Sequence, residues 1–183
     1  MELIDIGANL ASNQFRSDLP QVIERARGAG VSGMVITGTS LSGSRRADEI
    51  AAADPGLWCT AGVHPHDAKE WGAETEAGIR EMLSSPQVVA VGECGLDFNR
   101  NYSSPDDQRA AFQAQLGLAV DSGLPLFLHQ RDAHDEFLAM LKEAWPDLRG
   151  GAIVHCFTNG PAEATAYVEL GCHIGITGWV TDA

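Results

Sequence analysis

Seven short apolar runs punctuate the chain, at residues 3–6, 34–37, 58–62, 88–92, 124–129, 152–156 and 173–177. All but 58–62, which reads Trp-Cys-Thr-Ala-Gly, are rich in Val, Ile or Leu, and all lack clean polar alternation. That is the pattern of a strand buried on both faces, as in a parallel sheet. Between them, apolar residues recur at helical spacing. Leu19, Val22, Ile23 and Ala26 mark one helix, which ends at Gly28 and Gly30. Phe112, Leu116, Ala119 and Val120 mark a longer one that stops at Gly123, ahead of Pro125. Phe137, Leu138 and Leu141 share a face of a third, within 133–145, and Pro146 ends it. Ser103 or Ser104 before Pro105 predicts a helix start, because proline is tolerated in the first turn.

Strand–helix alternation means an α/β fold. An open doubly wound sheet and a closed (β/α)₈ (TIM) barrel both follow that alternation. The turn after the first run, Gly7-Ala8-Asn9-Leu10, is neither a dinucleotide-binding fingerprint nor a phosphate loop. Polar residues gather instead at the end of strand after strand, which is where a barrel assembles its active site. Seven strands and about six helices fall short of eight of each, and complete barrels run to about 250 residues. The expectation is one domain, residues 1–183, with an incomplete barrel of about seven strands that lacks its last strand–helix portion. Its open edges would expose unpaired backbone and apolar surface.

Composition narrows the function. Twelve Lys+Arg against 25 Asp+Glu give a net charge of −13. A protein that grips duplex nucleic acid through its overall surface charge is usually basic, so any nucleic-acid chemistry here needs local cations or a bound metal. No apolar run reaches the ~18 residues of a membrane span, and no export signal opens the chain. Cys59, Cys94, Cys156 and Cys172 form no Cys-x-x-Cys pair. They read as reduced thiols of a cytoplasmic protein, with Cys94 and Cys156 filling core space.

Four strand ends carry groups that bind metals or protons: Gly62-Val63-His64-Pro65-His66, Val91-Gly92-Glu93-Cys94-Gly95-Leu96-Asp97, Phe127-Leu128-His129-Gln130-Arg131 and Val154-His155-Cys156-Phe157. A carboxylate such as Glu93 inside an apolar run is costly unless a cation or hydrogen-bond donors compensate. Each histidine alone is more often a structural hydrogen-bonding residue than a ligand, and Glu93 alone could pair with an arginine. Together, one carboxylate and the imidazoles of His129 and His155 at consecutive strand ends suit a divalent ion with open positions. Such an ion lowers the pKa of bound water and stabilises charge on a phosphoryl oxygen. His64 and His66 could be a metal pair, a rigid turn or substrate contacts, and the last is favoured. Arg100 and Arg131 are candidate phosphate contacts. Phe157 or Trp179 could stack a base. His134 and His173 read as structural or exposed, and Asp182 is left unassigned.

At these motifs the chain resembles the TatD family of metal-dependent nucleases. The matching text includes Asp5-Ile6-Gly7-Ala8-Asn9-Leu10, the run from Thr60 to Asp67, the run from Val91 to Asn101, Arg131-Asp132-Ala133-His134, His155-Cys156-Phe157-Thr158 and the run from Ile174 to Val180. The resemblance implies a (β/α)₈ barrel related to amidohydrolases and a Mg²⁺-dependent phosphodiester hydrolase, with Mn²⁺ or Zn²⁺ also suited to imidazole ligands. For the bacterial members it implies 3′–5′ exonuclease action on single-stranded DNA and RNA ends and a role in DNA repair. Carried over residue by residue, Glu93, His129 and His155 bind metal. On the chemistry of the residues themselves, the candidate catalytic residues are Glu93, His64 and His66, and Arg131, Arg100, His64 and His66 are candidate substrate contacts, with His64 and His66 able to meet phosphate or shuttle a proton. A monomer is expected. Two departures stand out. Gly7 and Asn9 replace the family's usual His-x-His after the first strand, a replacement the bacterial subgroup shares. No eighth strand with its acidic end is present in the text. Two rival readings are an amidohydrolase-type enzyme acting on a small ester or amide, and an inactive truncated fragment.

Overall fold

The structure is a computed structural model that describes residues 2–181. Seven strands form one parallel sheet in sequence order: β1 (Leu3–Ala8), β2 (Val31–Ile36), β3 (Leu57–Ala61), β4 (Val88–Asp97), β5 (Leu126–Arg131), β6 (Ala152–Val154) and β7 (His173–Ile174). Each strand pairs in parallel with the next. Such a connection needs a crossover, and six helices supply it: α1 (Leu19–Gly28), α2 (Leu41–Ala52), α3 (Ala73–Met82), α4 (Pro105–Ser122), α5 (His134–Ala144) and α6 (Pro161–Leu170).

All seven predicted strands and the predicted helices are present. Local chemistry sets their ends. Ser104 Oγ accepts the Asp107 N–H at 3.2 Å, Pro105 takes the first helical position, and Gly123 closes α4 at φ +72°. Ser40 caps α2 in the same way, accepting from Gly43 N–H at 3.1 Å.

The helices cover one face of the sheet. Ile23, Ile36, Ala47, Ile50 and Cys59 pack together beneath α1 and α2, while Leu96, Leu128, Phe112, Phe137, Leu141 and Tyr167 pack beneath α4, α5 and α6. The rings of Phe112 and Phe137 lie parallel with centroids 5.2 Å apart. The other face curls around an apolar hollow of about 500 Å³ lined by Val35, Phe127, Ile153 and Ile174. Among the described residues β1 and β7 do not pair, so the barrel is open between them. There Leu3, Ile4 and Ile6 stand exposed, Ile4 at 63%, as expected of unclosed edges.

Candidate metal centre

A bulge places the central carboxylate. Gly92 pairs with Phe127 and Cys94 with Leu128, so Glu93 is the extra residue between two ladder positions. Its N–H leaves the ladder and donates to Gly38 O at 2.7 Å. Bulges of this kind re-aim one side chain, and here the strand continues beyond it to Asp97. Packing leaves no freedom at that point. A Cβ on Gly62 would lie 2.5 Å from Gly92 Cα, and one on Gly92 would lie 2.1 Å from Phe127 O.

Glu93 meets imidazoles from two neighbouring strand ends. His129 Nδ1 lies 3.2 Å from Glu93 Oε1, and His64 Nε2 lies 3.7 Å from the same oxygen. One ligand-type atom from each of His64, Glu93 and His129 falls within 4.8 Å of the others. These three line a cavity of about 340 Å³ with Asn9, Gln130, Arg131, His155, Cys156, Thr158 and Trp179. His155 therefore faces the same space, although the tight cluster contains His64 in its place.

Gly7 explains how His155 fits. At φ +138° its missing Cβ would sit 2.7 Å from His155 Cε1, so a side chain there would displace the ring. The ring also rests against Phe127, with centroids 4.6 Å apart.

Sequence reasoning left Asp97 out of the site. It is 1% exposed, and its Oδ2 accepts from His66 Nε2 at 2.8 Å and from His129 Nε2 at 3.2 Å. Its Oδ1 accepts the N–H groups of Asn99 at 3.1 Å and Arg100 at 2.8 Å. One buried carboxylate thus orients two imidazoles from different elements, as outer partners of metal-binding histidines do. The available signal was an acid four residues beyond Glu93 in the same apolar strand.

Electrostatics follow from these contacts. Burial alone would raise the pKa of Glu93, yet the hydrogen bond from His129 and the nearby imidazoles hold it below the usual carboxylate range. Burial likewise opposes ionisation of Asp97, but its hydrogen-bond donors keep its pKa low. His129 lies between these two carboxylates, which outweigh its burial and raise it to about 9. His64 goes the other way, lowered to about 3 by burial despite the pull of Glu93. Burial also lowers His155.

The tautomers then separate the two clustered histidines. His64 Nδ1 accepts the backbone N–H of His66 at 3.1 Å. A neutral His64 must carry its proton on Nε2, so it presents a donor to the cavity. His129, with Nε2 donating to Asp97, can present Nδ1 as a lone pair once its second proton leaves. The cavity thus gathers one carboxylate and several imidazoles, His64, His129 and His155, the donor chemistry a divalent ion takes.

The other predicted residues distribute unevenly. Arg131 lines the cavity, whereas Arg100 does not, and its backbone N–H holds Asp97. Trp179 reaches the cavity, but Phe157 turns towards core Tyr167, centroids 6.2 Å apart. Cys94 is buried in the core, as expected, and its thiol pKa is raised by desolvation. Cys156 is a correction. It lines the cavity, half-buried, with Sγ 3.3 Å from Thr177 Oγ1. His134 Nδ1 and Tyr167 Oη are 2.9 Å apart, His173 is exposed, and Asp182 lies outside the described residues. All four cysteines are unpaired, and among the described residues no helix is long and apolar enough to cross a membrane.

Known proteins are similar to this chain in sequence and in fold. The chain is 53% identical over 180 residues to the 3′-5′ ssDNA/RNA exonuclease TatD of Klebsiella pneumoniae (strain 342), spanning 98% of this chain and 68% of that protein. It is 56% identical over 181 residues to the protein of the same name from Rahnella sp. (strain Y9602), again spanning 98% and 68%. In structure it is similar to a TatD homologue of Escherichia coli K12, with a TM-score of 0.91 at 29% identity over 98% of this chain and 69% of that one. Residues 4–183 match the description "TatD related DNase", and the chain belongs to that family.

Proposed function

We propose that this chain hydrolyses phosphodiester bonds at the 3′ ends of single-stranded DNA and RNA, using one or more divalent ions held at Glu93, His129 and His155. One observation carries the reading: a buried carboxylate, at a bulge in the rim of a parallel barrel sheet, faces imidazoles with no arginine or lysine paired to it among the described residues. The relatives' names support the substrate class.

When bound, the metal polarises the phosphate and activates water. The chain's own residues do the rest. His64 directs its Nε2 proton into the cavity, where a scissile phosphate oxygen would accept it. Asp97 fixes His66 and His129, and His66 holds the strand end beside them. Arg131 supplies a guanidinium that matches phosphate oxygens in charge and shape. Mg²⁺ is the proposed ion, while two imidazole donors also suit Mn²⁺ or Zn²⁺. Residues 1–183 act as one domain and as a monomer, and the free thiols suit the reducing cytoplasm.

The test is release of nucleotides from a 5′-labelled single-stranded oligonucleotide with Mg²⁺ or with EDTA. Shortening from the 3′ end should require the metal, and Glu93→Gln should slow it by about a thousandfold or more. A wild-type chain that leaves the oligonucleotide intact, or a Glu93→Gln variant at wild-type rates, would falsify the reading.

A further inference from the structure

Beside the metal centre lies a second polar cleft. Asn9 lines the central cavity, and the next residues along the chain, Leu10, Ala11, Ser12 and Asn13, line a cleft of about 320 Å³ together with Arg16, Leu19 and Arg46. Its volume is at the lower end of the ~300–1,000 Å³ of small-ligand sites. Two guanidinium groups border it and no carboxylate does. In a chain of net charge −13, that local excess of positive charge is a departure needing a reason.

Arg16 has no ion pair among the described residues. Arg46 touches Glu49 at 3.0 Å, but both side chains are more than half exposed, and an exposed pair of this kind holds an arginine weakly. Ser12 and Asn13 add polar groups to the same wall. The neighbouring cleft on the other side of Arg46 is also lined by Arg45, but Glu49, Glu70 and Glu74 line it too. Those three carboxylates repel an anion, so of these two clefts the Arg16/Arg46 one is the better suited to it.

We propose that this cleft is a second phosphodiester subsite, in which Arg16 and Arg46 hold the backbone of a single strand some nucleotides away from the end seated at the metal centre. The proposal rests on the nuclease reading for its ligand. Asn9 lines the central cavity and the residues directly after it, Leu10 to Asn13, line the cleft, so one short chain segment borders both and a strand seated at the metal centre is within reach of the cleft. Guanidinium matches phosphate in charge and in its paired donors. Contacts to backbone phosphates carry no base preference, so the subsite favours length over sequence.

The experiment uses the whole chain and a 5′-fluorescein single strand of about ten thymidines, with EDTA present so that nothing is cleaved. Fluorescence anisotropy over a salt series gives affinity and salt dependence. Arg16→Ala with Arg46→Ala should bind about tenfold more weakly. The slope of log affinity against log salt should fall in magnitude by roughly 1.4, about 0.7 for each lost phosphate contact on a single strand. Lys142→Ala with Arg149→Ala, exposed cations in and after α5, should leave both unchanged. With Mg²⁺, the first double variant should raise KM for the long strand about tenfold at unchanged kcat, and leave a dinucleotide unaffected. Wild-type affinity and slope in the Arg16/Arg46 variant would overturn the subsite, as would equal losses in the control pair or no binding by the wild type. Binding that responds as expected without any metal-dependent cleavage would sink the nuclease reading and leave the subsite standing.

Discussion

Asp97→Asn in the metal-free protein isolates the most constrained part of the site. The substitution keeps shape and leaves one oxygen able to accept the Asn99 and Arg100 N–H groups. It removes the charge that His66 Nε2 and His129 Nε2 share at 2.8 and 3.2 Å. His129 rises from an ordinary 6.5 to about 9, driven by Asp97 and Glu93 against its own burial. At about 1.4 kcal/mol per pH unit, that is on the order of 3 kcal/mol of linked stability. The sign follows from a raised folded-state pKa: the stabilisation is fully present below pH 6.5 and is lost as pH climbs through about 9. Both carboxylates have lowered pKa values, so they stay ionised across this window and add no slope of their own. Asp97 and Glu93 each bond to and attract His129, so about half of the effect should vanish with Asp97. Adding weaker hydrogen bonding to His66, the expected loss is about 3 kcal/mol at pH 6 and about 1 kcal/mol at pH 9.5. Urea unfolding in EDTA at several pH values reads both numbers. A loss that does not change between pH 6 and pH 9.5 would refute the placement of a charged His129 between two acids.

Two further outcomes test the tautomers and the packing. His155→Ala should abolish the rise in melting temperature given by Mn²⁺, whereas His64→Ala should keep it and lower kcat. A ligand at a hundred times its Kd stabilises by about 2.7 kcal/mol, so the contrast is readily measured, and a shift lost only in His64→Ala would reverse the assignment of donor and ligand. Gly62→Ala should destabilise by about 3 kcal/mol, because its Cβ would meet the Gly92 backbone at 2.5 Å. Gly117→Ala, mid-helix with nothing within 4 Å of its Cβ, should instead stabilise by about 0.5–1 kcal/mol. Chemical denaturation of the two variants side by side shows whether close approach, and not glycine itself, decides the sign.

The alternation of buried strands and helices was legible because burial on both faces leaves an uninterrupted apolar run. Strand ends were less so. β4 runs five residues past the predicted end at Gly92, since Gly95 and Asp97 still pair with His129 and Arg131 although the text has turned polar. β6 stops at Val154, two residues before the predicted end, where Cys156 takes φ +49°. The polar residues of α4 were the hardest to read. Gln108 and Gln115 interrupt its apolar spacing, yet both are buried. Gln115 accepts from Val63 N–H at 2.7 Å, and Gln108 accepts from Asp97 N–H at 2.8 Å. An amide aimed at a distant loop has no signature in local periodicity. For the site, Glu93, His129 and His155 were visible as residue types at strand ends. The approach of His64 to Glu93, and the burial of Asp97, depend on strand register and on the Glu93 bulge, which a sequence without partners does not encode visibly.

The negative net charge becomes compatible with an anionic substrate once charges are counted where they stand. Arg27 pairs with Asp54, Arg80 with Asp121 and Glu76, and Arg109 with Glu136 and Asp106. These pairs lie on helices and their connections, and exposed pairs add about 0–1 kcal/mol each. Their main effect is to cancel the field of those arginines. Arg16, Lys69 and Arg100, by contrast, follow β1, β3 and β4, and Arg131 ends β5, at the end of the sheet where the site lies, and none of the four forms an ion pair among the described residues. Four unpaired cations thus stand at that end of the sheet, while Arg45 on α2 and Lys142 and Arg149 in and after α5 are unpaired elsewhere among the described residues. A single strand end can reach that small positive rim and its metal. A duplex, whose backbones need a broad basic face, would meet repulsion over most of the same protein.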